Sequence, residues 1–326
     1  MAVTNSGQRS KADRRRFILN AAQIAAAVTL GQAGKTAFAQ QALPAPKHEP
    51  MALGLLIKPY PSPEEKIAVV RQLGIPTCFL SLDAYIGKFT PALAKQMRDA
   101  LDKYQIVATT AEVVNPQPLK WNFVEGPSTI GIVPRAYRAA RMDALKQTSD
   151  FAKQLGIGQI QTHCGFIPEN PKDELYEETV LAIRELTDHC ADNGQSFLME
   201  TGQETPTTML RVLKDVNRPT LGVGLDTANL ILYGKANPVD AIKVLGPYVK
   251  AMHAKDGKWP TNPMELGQEV IIGKGEVDFT KVLSGLKAFG YKGAVTIERE
   301  TSGPQQIEDV RQEKIYLERI LKQINA

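Results

Sequence analysis

Cysteine, histidine and tryptophan are scarce in this chain of 326 residues, and the low counts limit the classes of site that the chain can form. The chain has four histidines, two tryptophans and three cysteines, Cys78, Cys164 and Cys190. An odd number of widely spaced cysteines is not a disulfide framework, and the strand pattern around Cys78 favours a buried thiol. Hydrophobic residues make up 43% and charged residues 23% of the chain, so the sequence predicts a folded body with a full core.

The N-terminus lacks an apolar run that is long enough to span a membrane, but it resembles an export signal. Three arginines at 14–16 precede an alanine-rich, mildly apolar stretch that ends in the small-x-small pattern Ala37-Phe38-Ala39. This pattern is typical of a secretory signal, and the arginines followed by Phe17 and Ile18 resemble the twin-arginine signal. We expect a signal peptide over 1–39 and a periplasmic or secreted mature protein. An amphipathic N-terminal helix is the alternative.

Without that segment, the chain also lacks an excess of charge of either sign. The whole chain has 39 basic and 35 acidic residues, a net charge of +4. Residues 1–39 hold six of the basic residues and one acid, so the rest has a net charge of −1. We therefore expect no nucleic-acid partner and no stable membrane association after cleavage.

After a proline-rich tether at 40–50, apolar strand patterns alternate with amphipathic helix patterns. The strands are predicted at 51–57, 75–82, 105–113, 157–163, 195–200, 220–226, 248–253 and 293–298. The helices are predicted at 63–74, 91–104, 134–155, 171–193, 205–216, 238–246, 278–289 and 304–324. Long loops remain at 114–133 and 254–277. Continuous apolar strands separated by helices indicate parallel pairing.

Eight such units predict an α/β fold, a single (β/α)8 TIM barrel over 51–326. The alternative is an open, doubly wound sheet. That fold would favour a glycine-rich phosphate loop after an early strand, and none follows Ile57 or Leu82.

Each of the last four predicted strands ends in a polar residue: Glu200, Asp226, His253 and Glu298. In this barrel class the active site lies at the C-terminal ends of the strands. Three carboxylates that converge without a cation would repel one another, so the pattern predicts a site for one divalent metal ion. Three oxygens and one nitrogen favour Mn²⁺, with Mg²⁺, Co²⁺ or Zn²⁺ as alternatives. Glu300 could replace Glu298, but Glu298 directly adjoins the apolar run.

Six stretches carry a resemblance to a known family. They are THCGFIP at 162–168, METGQE at 199–204, LDTANLILYG at 225–234, MHAKDG at 252–257, GKGEVDF at 273–279 and TIERETSG at 296–303. Over residues 51–322 the chain resembles the xylose isomerase-like barrel superfamily, in its sugar phosphate isomerase/epimerase branch.

The resemblance implies that Glu200, Asp226, His253 and Glu298 bind one divalent metal. It also implies that Glu200 and Glu298 move the proton, from opposite faces of a bound sugar. One position departs from the pattern: several epimerases of the family have a histidine where this chain has Asn229. Asparagine can bind a sugar oxygen but cannot take up a proton, so the ketohexose epimerase activity does not transfer directly.

Other polar residues lie beside the predicted strand ends. We expect His163, at the end of the fourth strand, to contact a substrate hydroxyl or to act as an acid. We expect Lys255 to stabilise an enediolate, Asp256 to orient a neighbour, and Gln203 to bond a ligand carboxylate.

The two tryptophans, Trp121 and Trp259, lie one on each long loop. They are candidate platforms for stacking a sugar ring, and plain packing of the loops is the alternative.

Together these features predict a metal-dependent sugar isomerase or epimerase. It would abstract a proton next to a carbonyl and form an enediolate held at the metal. Export and the lack of a Lys/Arg cluster favour an unphosphorylated keto-sugar or a 3-keto-glycoside as substrate. A lyase that cleaves 3-keto-glycosides by β-elimination is one alternative, and an exported sugar-binding protein without catalysis is a second. The superfamily's DNA-repair branch uses a three-zinc cluster, for which four histidines are too few. A homo-oligomer is left open.

Overall fold

The computed structural model of the protein describes residues 48–325. The export signal predicted over 1–39 lies outside the described residues, as does the predicted tether up to residue 47. Within the described range, no helix combines the length and the apolar character that crossing a bilayer requires.

Eight parallel strands close into a barrel, which confirms the predicted fold class. In chain order these strands are β1 Leu53–Ile57, β2 Thr77–Ser81, β3 Val107–Glu112, β4 Gln159–Thr162, β5 Ser196–Glu200, β6 Leu221–Asp226, β7 Val249–Ala254 and β10 Val295–Ile297. Each strand pairs with its neighbours along the chain, and β10 closes the barrel between β7 and β1. Two further strands, β8 Asp256–Lys258 and β9 Gln268–Val270, form an antiparallel pair inside the second long loop.

Helices surround the barrel. Their bounds are α1 Pro63–Gln72, α2 Pro91–Tyr104, α3 Gly126–Thr129, α4 Arg135–Gln154, α5 Glu174–Asp192, α6 Pro206–Val216, α7 Thr227–Leu232, α8 Pro238–Leu245, α9 Phe279–Ala288 and α10 Pro304–Asn325. All eight predicted helices are present. Several begin with proline after a residue whose side chain caps the first turn, as Thr90, Thr205 and Asn237 do, because both devices suit a helix start.

The barrel interior contains a small apolar group beneath the strand ends. Phe79, Leu198 and Ala251 pack together there against Leu56. The ring of Phe79 lies edge-on to the imidazole of His253, with 4.5 Å between centroids. This apolar group therefore packs against the polar residues at the strand ends through the contact of Phe79 with His253.

Two charged side chains fix the long loops over the C-terminal end of the barrel. Arg141 is buried and donates hydrogen bonds to the backbone oxygens of Pro116, Pro118 and Gly131 in the first loop. Asp256 accepts hydrogen bonds from backbone N–H groups of the second loop. A backbone hydrogen bond from Phe123 to the oxygen of Met264 joins the two loops.

Candidate metal centre and active site

The four polar residues predicted at successive strand ends converge. One ligand atom from each of Glu200, Asp226, His253 and Glu298 lies within 4.8 Å of all the others. All four residues are buried. The predicted preference for Glu298 over Glu300 agrees with this geometry, because Glu298 joins the cluster whereas the side chain of Glu300 is largely exposed.

The unpaired atoms of the cluster fit a cation. Among residues 48–325, nine buried side-chain atoms have no hydrogen-bond partner, and four of the nine belong to this cluster: Glu200 Oε2, Asp226 Oδ2, His253 Nε2 and Glu298 Oε2. Buried polar atoms without partners are uncommon and costly in folded proteins. One divalent ion accepts electron pairs from three carboxylate oxygens and one imidazole nitrogen, so a single ion would satisfy all four atoms.

Asp226 is held so that one of its oxygens stays free. It is the last residue of β6 and also the N-cap of α7, where Oδ1 accepts a hydrogen bond of 2.8 Å from the Asn229 backbone N–H. The hydroxyl of Thr201 accepts a hydrogen bond from the backbone N–H of Asp226 and donates one to the backbone oxygen of Asp226. With the backbone and Oδ1 engaged, Oδ2 remains available to a ligand.

The histidine of the cluster lies between two glutamates. His253 Nδ1 is 3.2 Å from Glu200 Oε1 and 3.0 Å from Glu298 Oε2. Burial lowers the pKa of His253, but the two carboxylates outweigh burial and hold this pKa well above its usual value. Burial raises the pKa of Glu200, yet His163 and His253 outweigh it and hold the pKa of Glu200 below its usual value. The glutamates are therefore ionised and able to act as ligands or bases.

Lys255 is buried beside the cluster. Its Nζ is 3.4 Å from Glu298 Oε1, 3.3 Å from Glu300 Oε2 and 3.9 Å from Asp226 Oδ2. Burial lowers the pKa of Lys255, but the surrounding carboxylates, with Glu298 first, outweigh burial and hold it well above its usual value. Lys255 therefore places a fixed positive charge at the edge of the site.

His163 lies close to the cluster and links it to the first long loop. Its Nε2 is 3.4 Å from Glu200 Oε2, and its ring lies 5.2 Å from the indole of Trp121, edge to face. Gln203 contacts His163 Nδ1; within the described chain its amide bonds no carboxylate of the cluster. The structure thus brings Trp121, His163 and Glu200 together, and Gln203 holds the histidine rather than a ligand.

The remaining predicted residues lie on α7, on β8 and on the second long loop. Asn229 is buried on α7. Trp259 lies on the second long loop with 39% of its surface exposed, against 42% for Trp121. Asp256 accepts four backbone hydrogen bonds, from Gly257, Gly273, Gly275 and Val277. It therefore orients the second loop.

One acid at the mouth was missed by the sequence analysis. Glu112 ends β3 and has 9% of its surface exposed. Burial raises the pKa of Glu112 well above its usual value, and the charges of Glu200 and Glu298 add to the effect. A strand that ends in a carboxylate was the signal, but β3 reads Val-Ala-Thr-Thr-Ala-Glu and is followed by Val113, so no continuous apolar run stops abruptly at this residue.

A second buried acid, Glu204, predicts a pH-dependent stability. Among the described residues neither oxygen has a hydrogen-bond partner, and burial raises its pKa from 4.5 to about 8. The folded chain therefore retains a proton that the unfolded chain loses, so this group lowers stability as pH rises from about 4.5 to about 8. We expect Glu204→Gln to raise the unfolding temperature at pH near 8 and to change it little near pH 5, as measured by calorimetry in EDTA. The exposed Glu177→Gln is the matched control; a pH-independent difference would contradict the assignment.

Comparisons with known proteins agree with this fold. The sequence profile of the family described as Xylose isomerase-like TIM barrel matches residues 67–320. An uncharacterized protein of Methanocaldococcus jannaschii is 24% identical over 199 residues. That alignment covers 58% of this chain, and the chain spans 64% of the length of that relative.

Three solved structures are similar over most of the chain. A xylose isomerase domain protein from Planctomyces limnophilus is 30% identical, with a TM-score of 0.77, and the match covers 85% of this chain and 99% of that one. A D-psicose 3-epimerase, determined in the presence of D-fructose, is 19% identical with a TM-score of 0.63, covering 83% and 99%. A xylose isomerase-like barrel protein from Mycobacterium smegmatis, in complex with magnesium, is 17% identical with a TM-score of 0.64, covering 85% and 98%.

Proposed function

Because this chain belongs to the xylose isomerase-like TIM barrel family, we propose that it is a metal-dependent sugar isomerase or epimerase. It acts by abstracting the proton next to a carbonyl. The observation that carries the proposal is the cluster of three carboxylates and one histidine, each with a buried atom that lacks a partner. Structural neighbours that are sugar 3-epimerases support the reaction class.

The residues that would hold the metal are Glu200, Asp226, His253 and Glu298. When bound, the ion supplies a Lewis acid that polarises the carbonyl of a keto-sugar and makes the adjacent C–H more acidic. Mn²⁺ is the ion we favour, with Mg²⁺, Co²⁺ or Zn²⁺ as alternatives. The magnesium complex of a neighbouring barrel protein is consistent with a hard divalent ion.

The side chains of this site have separate roles in the proposed reaction. Glu200 and Glu298 come from β5 and from the end of β10, so they approach a bound sugar from different sides and serve as the acid/base pair. Lys255 stabilises the negative charge that develops on the enediolate oxygens. His163 and Asn229 bind hydroxyl groups, and the exposed faces of Trp121 and Trp259 offer stacking surfaces to the ring.

The fate of the enediolate decides the reaction. A proton returned to the opposite face of the same carbon gives an epimer, and one delivered to the neighbouring carbon gives an isomer. A leaving group β to the ketone would instead depart, which is the lyase alternative. We favour an unphosphorylated keto-sugar or a 3-keto-glycoside, since the N-terminal sequence resembles a twin-arginine signal and so favours export to the periplasm or beyond the cell.

The first test is metal content. We expect the chain from residue 40 onward to retain about one ion per molecule after loading with Mn²⁺ and desalting, because four ligands close around one position. The double variant Glu200→Gln, Asp226→Asn should retain none, since it loses two of the anionic ligands. Elemental analysis measures both proteins, with Glu177→Gln as the control. No ion in the unmodified chain would contradict the metal centre.

Catalysis is then separated from binding by proton exchange. The metal-loaded chain is incubated in heavy water with D-fructose, D-tagatose, D-allulose and methyl 3-keto-glucoside, and deuterium uptake is followed by NMR. Uptake next to the carbonyl supports the isomerase or epimerase. Binding without uptake on every probe would favour a non-catalytic sugar-binding protein, and release of methanol from the glycoside would favour the lyase.

A further inference from the structure

Glu112 faces the same mouth as the metal cluster, from the opposite wall of the barrel. Two residues earlier on β3, the hydroxyl of Thr110 bonds the side chain of Gln159 at 2.8 Å. Gln159 reaches across the interior to the backbone oxygen of Lys250 on β7. Side chains two apart on a strand share a face, so Glu112 points into the barrel mouth, one layer above Thr110.

The strand order places this acid across from the cluster. Around the closed barrel the order is β1, β10, β7, β6, β5, β4, β3, β2. The four cluster residues come from β5, β6, β7 and the end of β10, whereas β3 lies diametrically opposite β7. A sugar whose carbonyl end lies at the cluster therefore extends its other end toward Glu112.

Among residues 48–325, no group hydrogen-bonds the carboxyl of Glu112. Only 9% of the residue's surface is exposed, and its carboxyl oxygens are not among the fully buried atoms that lack a partner, so the exposed part includes the carboxyl. The neighbouring strand residues in register with it are Ser81 and Gln161. A carboxyl that is almost enclosed by protein but bonds none of the described groups is expected at a site whose partner is a ligand.

We propose that Glu112 is a substrate-binding residue, which hydrogen-bonds hydroxyl groups of the sugar at the end remote from the carbonyl. The inference rests on the proposed function, and it defines the substrate as a sugar that is hydroxylated at both ends. Glu112 accordingly sets specificity, whereas Glu200 and Glu298 carry the proton.

Two variants test the role. Glu112→Leu removes all hydrogen bonding, and Glu112→Gln keeps a donor and an acceptor of the same shape. The Mn²⁺-loaded chain and both variants are compared by deuterium uptake on the four probes already named, together with metal content and unfolding temperature. The exposed Glu177→Leu is the matched control.

We expect Glu112→Leu to raise KM about tenfold or more, with a smaller change in kcat, because a lost hydrogen bond to a substrate hydroxyl weakens binding by that order. Glu112→Gln should restore most of the affinity. The metal content should stay at one ion, and the unfolding temperature of Glu112→Leu should not fall, because the removed carboxyl had no partner in the protein.

Two outcomes would overturn the inference alone. In one, the unmodified chain exchanges protons and Glu112→Leu has the same KM. In the other, Glu112→Leu unfolds at a lower temperature and loses metal, while Glu112→Gln does not recover the KM, as a structural acid would behave. If the unmodified chain neither binds metal nor exchanges protons on any probe, the proposed function fails as well. The unmodified chain alone shows this failure, so it is distinguished from a failure that only the Glu112 variants reveal.

Discussion

Replacing Glu200 by glutamine is expected to lower kcat/KM for deuterium uptake by about a thousandfold or more, the range that general acid–base catalysis supplies. Glu200 is fully buried, its pKa is held below the usual value by the two histidines, and its Oε2 is one of the four unpaired atoms of the cluster. Glutamine keeps the volume but cannot accept a proton, and it is a weaker ligand than a carboxylate. The measurement is the initial rate of exchange on the best probe, beside metal content.

Glu298→Gln and Glu177→Gln complete this experiment. We expect Glu298→Gln to lose a comparable factor, since it supplies the second acid/base group from the other side of the site. The exposed Glu177 on α5 should be replaceable without effect. If Glu200→Gln retained its metal and exchanged protons at the original rate, another group would have to be the base and the assignment of the pair would be wrong.

Replacing Asp256 by alanine is expected to lower the free energy of unfolding by about 4 kcal/mol, the scale for removing one member of a buried, charged hydrogen-bond network. Asp256 Oδ1 accepts from Gly257 and Val277, and Oδ2 accepts from Gly273 and Gly275, at 2.9–3.1 Å. Alanine leaves all four backbone N–H groups without an acceptor. At this chain length the change corresponds to a fall in unfolding temperature of about 10 °C, measured by calorimetry.

The conservative variant Asp256→Asn keeps the size of the side chain but reduces the number of hydrogen bonds that it can accept. Its amide offers one oxygen and one NH₂ group, so it can satisfy the N–H groups on one side only, and we expect a loss between wild type and alanine. Since the second loop adjoins Lys255, exchange activity should fall with stability in both variants. Equal unfolding temperatures for wild type and Asp256→Ala would show that the loop does not depend on this carboxylate.

The barrel and the cluster were predictable because each rests on a short-range pattern. Apolar runs that stop at Glu200, Asp226 and Glu298 mark buried strands whose next residue reaches the mouth. Parallel pairing in sequence order then brings adjacent strand ends together without any knowledge of the loops. The same reasoning predicted all eight long helices, since their caps and apolar stripes are local features.

Features that depend on tertiary register were not predictable. Glu112 ends a strand in which threonines interrupt the apolar residues, and the pairing of β2 with β3 shifts register between Cys78 and Phe79. Its position in the mouth therefore follows from neighbouring strands rather than from its own sequence. The pair β8–β9 was predicted as part of a loop, and the short helix α7 was not assigned. Both depend on hydrogen bonds from an aspartate to the backbone: Asp226 caps α7, and Asp256 bonds the second loop at Gly273.

The apolar side chains of Leu56, Phe79, Leu198 and Ala251 pack together beneath the strand ends, with the ring of Phe79 against His253. Apolar groups neither donate nor accept protons, so Glu200 and Glu298 exchange theirs with polar groups, water or the sugar on the mouth side of the site. In epimerisation the proton that one glutamate removes differs from the proton that the other delivers, so a delivering glutamate that heavy water has deuterated places deuterium on the product. Deuterium uptake therefore counts single epimerisation events.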